Sequence, residues 1–445
     1  MKFLEKNIKG RKKWLNSEIF FYLAVFFLPF ENFRFAPSAG WATISPIIFG
    51  IYALLNYKNL FKAFIKLRKI IGFFMFAVIL GSITAFALNV NTIDYVNAFI
   101  PLILGAILLF SFYIYYDKKK DLRTVINLIV IAYGICAVIG LFEYLAIKLE
   151  NHDFAYFIAN IFKRDYLVEN SRVQFFFTEP SFIGMHLFGV LLPLYWLSRR
   201  KDLLFILVLF AAEAILFNSG IRVIVDIAVV AIIYFAYLLI IHKKAKFIPL
   251  IIFILVLAFT NFYQNNERFR KIADSGVYAD GSFASRYFRM QASAIGYAKT
   301  PAQALIGYGL GNSIYPIHTG YKEARADYKS DYLREVDDLD KQSIMFHDDS
   351  VSYSIYTRMI SEFGLIMTIV AITYLIKITK NSHLPQKWLY FAIIMYIYLQ
   401  FESLGFYALW IFILTMLFTK KRQISEKTLL ERIYDNKIKR NQDKK

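Results

Sequence analysis

Cysteine and charge are both scarce in this sequence of 445 residues. Its one cysteine, Cys136, excludes an intramolecular disulfide and any metal site built from several cysteines. Charged residues make up 19%, whereas a soluble fold would carry about a quarter. No repeat, low-complexity run or linker rich in Pro and Ser is present. Together with the pattern of apolar residues, this composition excludes a soluble enzyme, a fibrous protein and a disordered chain.

Apolar residues dominate the sequence instead, at 58% with a mean hydropathy of +0.46. They form blocks of roughly 17–25 residues, the length that crosses a bilayer as a helix. The blocks predict twelve spans, at 17–35, 41–57, 70–89, 94–115, 123–148, 179–198, 202–219, 221–242, 246–263, 353–376, 387–402 and 404–419. The sequence therefore predicts an all-α polytopic membrane protein.

The spans divide the chain into four regions. The basic run through Lys13 and the apolar stretch after it resemble a signal peptide, but further spans follow, which favours an uncleaved first helix. The predicted regions are a transmembrane bundle (1–263) with an outer loop at 149–178, a large and mainly helical outer loop (264–352), spans 10–12 (353–419) and a basic cytoplasmic tail (420–445).

Basic residues predict the orientation of these spans. The segments that face the cytoplasm when the N-terminus is inside hold 34 of the 52 Lys and Arg residues, which predicts that both termini are cytoplasmic. The net charge of +19 is thereby assigned to the inner loops rather than to nucleic-acid binding. Only 8 of those 34 residues are Arg, against 11 of the other 18. Because Arg is the better clamp for phosphate, the outer face is expected to bind an anion.

Two clusters of polar residues lie at predicted outer span ends. The first, "SRVQFFFTEPSFIGMHLFG", presents Arg172 and Glu179 on either side of an apolar run. Glu179 either caps the sixth span or serves chemistry, and Arg172 either lies among lipid headgroups or binds ligand. The second, "FNSGIRVIVD", places Arg222 and Asp226 four residues apart on one helical face. They form either a structural ion pair or the wall of a cavity.

Two further clusters lie in the large loop. In "GSFASRYFRMQASAIGYAKTPAQALIGYGLGN", Arg286 and Arg289 are neighbours on a predicted helix. The run Tyr308, Gly309 and Gly311 then gives either a plain turn or a loop whose backbone approaches a ligand.

The last cluster, "FHDDSVSYSIYTRMISEFG", contains His347, Asp349 and Tyr353 just before the tenth span. One His beside two Asp residues is a poor chelating arrangement, so no metal site is predicted. Asp349 is a candidate helix cap.

In their order along the chain these motifs resemble the O-antigen polymerase (Wzy-type) and O-antigen ligase superfamily of integral membrane glycosyltransferases. The resemblance covers roughly residues 165–375 and rests on "R…EPS", "SGIR", "R…P…GYGLGN" and "HDDS…Y…SEFG". It implies a GT-C-like fold of about 12 transmembrane helices in a bacterial cytoplasmic (inner) membrane, with the active site facing outwards.

The resemblance also implies a reaction. A growing glycan on undecaprenyl diphosphate would be transferred to a hydroxyl of the next lipid-linked repeat unit, extending an O-antigen or capsule. Glu179 is the first choice for the general base, with His347 second. Arg172, Arg222, Arg286 and Arg289 are expected to bind the diphosphate without a metal or another cofactor. Tyr308, Gly309, Gly311, Asp349 and Tyr353 are candidates for loop contacts.

Two alternatives remain at this point. A ligase would use the same donor but transfer the finished glycan to lipid A core or to protein. A flippase for lipid-linked oligosaccharides would move the substrate without chemistry, although no two-half symmetry is visible and the outer loop is long. The implied partners are the lipid-linked donor and acceptor, membrane lipids, a chain-length regulator and a flippase.

Overall fold

The computed structural model describes ten stretches of the chain and a few single positions between 249 and 264. The stretches are 17–31, 43–119, 122–162, 173–177, 182–217, 221–242, 267–276, 281–326, 354–401 and 405–419. These stretches are helical and contain no strand, only an isolated bridge between Glu31 and Thr43. Of the predicted site residues, the following lie outside the described residues: Arg172, Glu179, His347, Asp349 and Tyr353. The predicted tail 420–445 lies outside them as well.

The described helices are numbered here in chain order. The first eight are α1 (Ser17–Phe26), α2 (Ser45–Leu55), α3 (Tyr57–Ala87), α4 (Thr92–Lys119), α5 (Arg123–Lys148), α6 (His152–Ile161), α7 (Ile183–Ser198) and α8 (Lys201–Leu216). The others are α9 (Ile221–His242), α10 (Glu267–Ser275), α11 (Gly281–Lys299), α12 (Pro301–Ile306), α13 (Tyr315–Ala326), α14 (Ile355–Asn381), α15 (Lys387–Leu399) and α16 (Ala408–Thr419).

Five of the described helices are long and apolar enough to cross a membrane, namely α3, α4, α5, α9 and α14. This confirms a helical, membrane-embedded protein. Eleven of the twelve predicted spans coincide with a described helix, and most of the twelfth, 246–263, lies outside the described residues. Several of those helices are shorter than a bilayer is thick, so the number twelve stays a prediction.

The segment 57–69 differs from the expectation. It was predicted as a basic loop before the third span, but it forms the first part of α3. The segment contains neither Gly nor Pro, and its lysines recur every three or four residues among apolar residues that continue into the span. Nothing within 57–69 therefore interrupts a helix that begins at Tyr57.

Segments that were predicted to share one side of the membrane lie together at one end of the bundle. Lys119 pairs with Glu18 at 3.0 Å, and Lys66 pairs with Asp117 at 3.4 Å. Ser382 and Thr419 are hydrogen-bonded at 2.7 Å at the same end. The alternation of the helices thus agrees with the predicted order of inner and outer segments, while the identity of the two sides stays a prediction.

Close helix packing in the bundle depends on small residues. A side chain at Gly105 of α4 would overlap the ring of Trp410 on α16. Gly189 of α7 faces Ala408 in the same way. Small residues at helix contacts are typical of membrane proteins, because van der Waals contact between close backbones takes the place of the hydrophobic effect there.

Helix α7 is interrupted by a π-helical turn at Leu187–Leu191. All five residues of this turn are buried. The turn separates the half of α7 that contains Gly184 and His186, which contact Asp226 and Glu31, from the half at Leu192–Ser198, which has Pro193 in its first turn. π turns of this kind are frequent near functional sites.

The large outer loop has a small core of its own. Helices α11 and α13 cross so closely that Gly296 lies on the backbone of Pro316, and Gly320 lies on that of Ala292. Phe288 and Ile317 are fully buried between the two helices. The described part of the loop, 267–276 and 281–326, is therefore mainly helical.

This loop is fastened to the membrane helices by a glycine-rich wedge, residues 307–311. The amide of Tyr308 donates to the carbonyl of Ser361 at 2.6 Å, and the amide of Leu310 donates to Gly81 at 2.9 Å. Gly307 meets Gly364, the residue at which α14 is kinked. The wedge thus holds α11 and α13 against α3 and α14.

Candidate functional site

The site begins with Asp226 in the second turn of α9. Its carboxylate is buried and accepts hydrogen bonds from the hydroxyl of Tyr396 at 2.7 Å and from Nε2 of Gln400 at 2.9 Å. Gly184 of α7 packs directly on this carboxylate, and a side chain there would overlap it. Because a buried carboxylate is costly without partners, these contacts from α7 and α15 fix Asp226 in one position.

Arg222 lies one turn before Asp226. Its Nη2 donates to the backbone carbonyl of Gln400 at 3.0 Å, and its guanidinium lies over the ring of Phe401 at 4.3 Å from the centroid. A cation held over an aromatic ring keeps its charge while its position is restricted. The end of α15 therefore orients Arg222 as well as Asp226.

Arg286 joins this cluster from the large outer loop. Its positive charge acts on the Asp226 carboxylate together with that of Arg222. Two arginines that were predicted to bind the diphosphate, 64 positions apart in the sequence, therefore lie near enough to one carboxylate for their charges to act on it. Arg222 and Asp226 are not an isolated ion pair, because Tyr396, Gln400 and Arg286 complete the arrangement.

Arg289, on the next turn of α11, is only 4% exposed, and Arg286 is half-buried. Tyr297, two turns further on, donates to the carbonyl of Thr357 at 2.9 Å and so packs α11 on α14. These arginines are therefore turned away from bulk solvent rather than spread over the loop surface. We call Arg222, Asp226, Arg286 and Arg289 the arginine cluster.

Glu179 lies outside the described residues, but the chain is described on both sides of it. The ring of Phe177 stacks on His186 with 3.8 Å between centroids. The ring of Phe182 packs on Phe401 at 5.2 Å, and Phe401 is the ring beneath Arg222. One flank of the "TEPS" segment is thus anchored on His186, and the other is anchored on Phe401, next to the arginine cluster.

His186 is the centre of a buried network that the sequence did not reveal. Its Nε2 lies 3.1 Å from Oε1 of Glu31, and its Nδ1 lies 2.7 Å from the hydroxyl of Tyr133 and 2.8 Å from that of Tyr407. All four side chains are almost completely buried. They join α5, α7 and α16 to the chain just after α1. The sequence feature that could have pointed to this network was a histidine within an apolar predicted span.

Glu143 of α5 fixes the backbone of the segment 173–177 through hydrogen bonds. Its Oε2 accepts from the amides of Gln174 and Phe175, both at 3.1 Å. Phe175 adopts φ 56°, a left-handed conformation that a bulky residue reaches only with strain. A glycine at position 140 leaves the space for its ring. Residues 173–177, which lead into the "TEPS" segment, are therefore held in one conformation by their contacts with α5.

The glycine-rich wedge uses its backbone within the protein. Gly309 and Gly311 have φ 97° and 87°, and side chains there would overlap the backbones of Ala85 and Asp94. Close helix packing therefore accounts for both glycines. The proposed loop contacts of Gly309 and Gly311 with a ligand stay a prediction.

Tyr297 and Tyr308, which lie near the wedge, form hydrogen bonds as neutral phenols. Burial raises the pKa of Tyr297 to about 12 and also raises the pKa of Tyr308. The Tyr308 side chain is fully buried, and its hydroxyl lies 2.6 Å from Oγ1 of Thr300. At neutral pH both phenols keep their protons, so neither serves as a general base.

Within the ranges that the structure describes, no group of three or more His, Cys, Asp and Glu residues is arranged to hold a metal ion. His347, Asp348 and Asp349 lie outside those ranges. Metal independence therefore stays a prediction.

Comparisons with protein-family profiles, with curated proteins and with solved structures found no match to the chain. The arginine cluster and the order of the motifs are therefore the grounds on which a function can be argued.

Proposed function

We propose that the protein is a polysaccharide polymerase of the Wzy type. It transfers a growing glycan from undecaprenyl diphosphate to a hydroxyl of the next lipid-linked repeat unit, at the outer surface of a bacterial inner membrane. The proposal rests on the order of the four sequence motifs and on one structural observation: Gln400 and Phe401 hold Arg222 one turn from the buried carboxylate of Asp226, on which the charge of Arg286 also acts.

The arginine cluster suits the leaving group of this reaction. Arg222 and Arg286 both act on the Asp226 carboxylate, and the buried Arg289 lies one turn from Arg286, so the cluster carries an excess of positive charge among its described members. A diphosphate is a multivalent anion, and planar guanidinium groups bind its oxygens in pairs. The Gln400 carbonyl and the Phe401 ring hold Arg222 in place before substrate arrives, so little reorganisation is needed when charge develops on the leaving oxygen.

The proposed chemistry is a single displacement. The acceptor hydroxyl oxygen forms a bond to the anomeric carbon of the donor, and the bond from that carbon to the diphosphate oxygen breaks. The acceptor proton passes to the Glu179 carboxylate, with His347 as the second candidate. The electron pair of the broken bond stays on undecaprenyl diphosphate, whose charge the arginines offset. Arg172 is assigned to the same anion.

The decisive experiment uses the full chain purified in detergent with lipid-linked repeat units and no nucleotide sugar. A ladder of products spaced by one repeat unit is the expected result. Transfer of a finished glycan only when lipid A core or an acceptor protein is added would identify a ligase. No covalent product in either case, together with movement of the lipid-linked glycan across proteoliposomes, would identify a transporter and overturn the proposal.

A further inference from the structure

A second charged site lies at the other end of the bundle. A cavity of about 670 Å³ opens between the first part of α3, the last turns of α14 and the end of α16. Its lining residues are Ile65, Lys66, Leu67, Arg68, Lys69, Ile70, Tyr374, Lys377, Ile378, Asn381, Met416 and Leu417. Nothing in the proposed glycan transfer uses this cavity.

The charge of the cavity is of one sign. Four of the residues that line it are basic, namely Lys66, Arg68, Lys69 and Lys377, and none of the described lining residues is acidic. Lys66 reaches Asp117 at 3.4 Å. Within the described part of the chain, the other three cations have no hydrogen-bond or ion-pair partner. Lys66 has Asp117 beside it, whereas Arg68, Lys69 and Lys377 leave the lining of the cavity with a net positive charge that attracts anions.

The remainder of the wall is apolar. Leu67 and Met416 are buried, and Ile70, Ile378 and Leu417 are half-buried beside them. The cavity is thus lined by both cations and apolar side chains. A ligand that matches both is an amphiphile with a phosphate head, rather than a free phosphate or a nucleotide.

The cavity is separate from the arginine cluster. Helix α14 contacts α11 at Thr357 and lines the cavity at Lys377. Thr357 and Lys377 are twenty residues apart, on either side of the kink at Gly364. The two sites therefore lie at different ends of α14.

We propose that this cavity binds one acidic glycerophospholipid, such as phosphatidylglycerol. Its phosphodiester lies among the four cations and one acyl chain lies along the apolar wall. Basic pockets between membrane helices bind anionic headgroups in this way. The site is independent of the glycan chemistry, because its residues do not touch the arginine cluster.

The test measures lipid binding to the full chain in nanodiscs by native mass spectrometry. The nanodiscs contain phosphatidylcholine with a small fraction of phosphatidylglycerol. We expect one phosphatidylglycerol to be retained per protein when the surrounding lipid is removed. The triple variant Arg68→Gln, Lys69→Gln and Lys377→Gln should weaken retention roughly a hundredfold, since each cation near an anionic lipid contributes about fivefold.

The matched control removes the same charge from the same two helices outside the cavity. It combines Lys58→Gln, Lys62→Gln and Lys380→Gln, three exposed residues that do not line the cavity. Retention in this control should equal that of the native chain. Equal loss in both triple variants would show a diffuse charge effect and overturn the proposal, as would full retention in the cavity variant.

A competition arm separates the lipid from a free anion. Glycerophosphoglycerol, the soluble headgroup, and inorganic phosphate are added at millimolar concentration. Retention of the lipid is expected, because the acyl chain contributes contacts that neither anion has. Complete displacement by either soluble anion would make this a phosphate site and contradict the lipid assignment. Equal thermal unfolding of all variants, whose substituted side chains are exposed, establishes that folding is unchanged.

Discussion

Single side chains decide whether the arginine cluster binds an anion or only stabilises the loop. Arg286→Lys keeps the charge but loses the planar fork that contacts two phosphate oxygens at once. One lost charge-assisted hydrogen bond costs about 1.5–3 kcal/mol, so the polymerisation rate should fall roughly ten- to a hundredfold. Arg289→Lys, at the buried neighbour, should act in the same direction. The rate is measured from the product ladder under single-turnover conditions.

The control for this substitution is Arg270→Lys on α10, which is exposed. Its rate should equal that of the native chain. Native rate and native polymer length in Arg286→Lys and Arg289→Lys would contradict the clamp and leave these arginines as anchors of the loop.

A second prediction at the residue scale concerns Glu179. Glu179→Gln keeps the size and hydrogen-bonding capacity of the side chain but removes the base. Transfer should therefore be lost while the lipid-linked donor still binds, because a base acts on the chemical step more than on ground-state affinity. Turnover and donor binding are measured on the same preparation. Turnover close to native would transfer the base role to His347 or remove it.

At the scale of secondary-structure elements, the contact between the wedge and the kink of α14 holds the outer loop in position. Gly364 has φ 84°, and a side chain there would overlap the carbonyl of Leu305 and the amide of Gly307. Gly364→Ala should therefore lower the midpoint of thermal unfolding, with a cost of about 1–3 kcal/mol from backbone strain and a further cost from the overlap.

The matched variant is Gly276→Ala, at φ 80° with no atom within 4 Å of the added methyl group. It carries the strain without the overlap, so the difference between the two midpoints measures the contact of the wedge with α14. Equal midpoints would show that this contact contributes nothing to stability.

Helices could be predicted from the sequence where the pattern that specifies them lies within the helix itself. Apolar runs predicted α5 and α9 to the residue, and the spacing of Arg222 and Asp226 predicted their shared face. The start of α3 was not predictable in this way, because the basic segment 57–69 resembles a loop by its charge but contains no residue that stops a helix. Contacts between distant segments were also beyond a single sequence. Neither the approach of Arg286 to Asp226 nor the pairing of His186 with Glu31 leaves a local pattern.

At the scale of the whole molecule, the orientation in the membrane is open to a direct test. Lys322→Cys lies on the exposed face of α13, and Lys62→Cys lies on the exposed face of α3 at the opposite end. On intact spheroplasts an impermeant thiol reagent should label only the first. The native Cys136 is buried and does not interfere. Labelling of position 62 before lysis, or of position 322 only after it, would reverse the predicted topology.

The absence of a metal requirement is a second prediction for the whole molecule. Arginines are expected to offset the charge of the leaving diphosphate, a task that a divalent cation performs in many enzymes that handle phosphate. Polymerisation should therefore survive EDTA at a concentration that strips bound magnesium and manganese. Loss of the product ladder on chelation, with recovery when either ion is restored, would refute this prediction.

The π turn in α7 changes the angular phase between the side chains of the two halves of this helix. Each residue of an α-helix advances the side chains by about 100°, and a π turn inserts one residue without ending the helix. The half of α7 that contains Gly184 and His186 is therefore out of phase with the half that contains Trp196, whose ring packs on Tyr390. Deleting Val190 would bring the halves into phase and swing Gly184 and His186 away from Asp226 and Glu31. The one residue inserted by the π turn thus lets the two halves of α7 direct their contacts to different sides of the same helix.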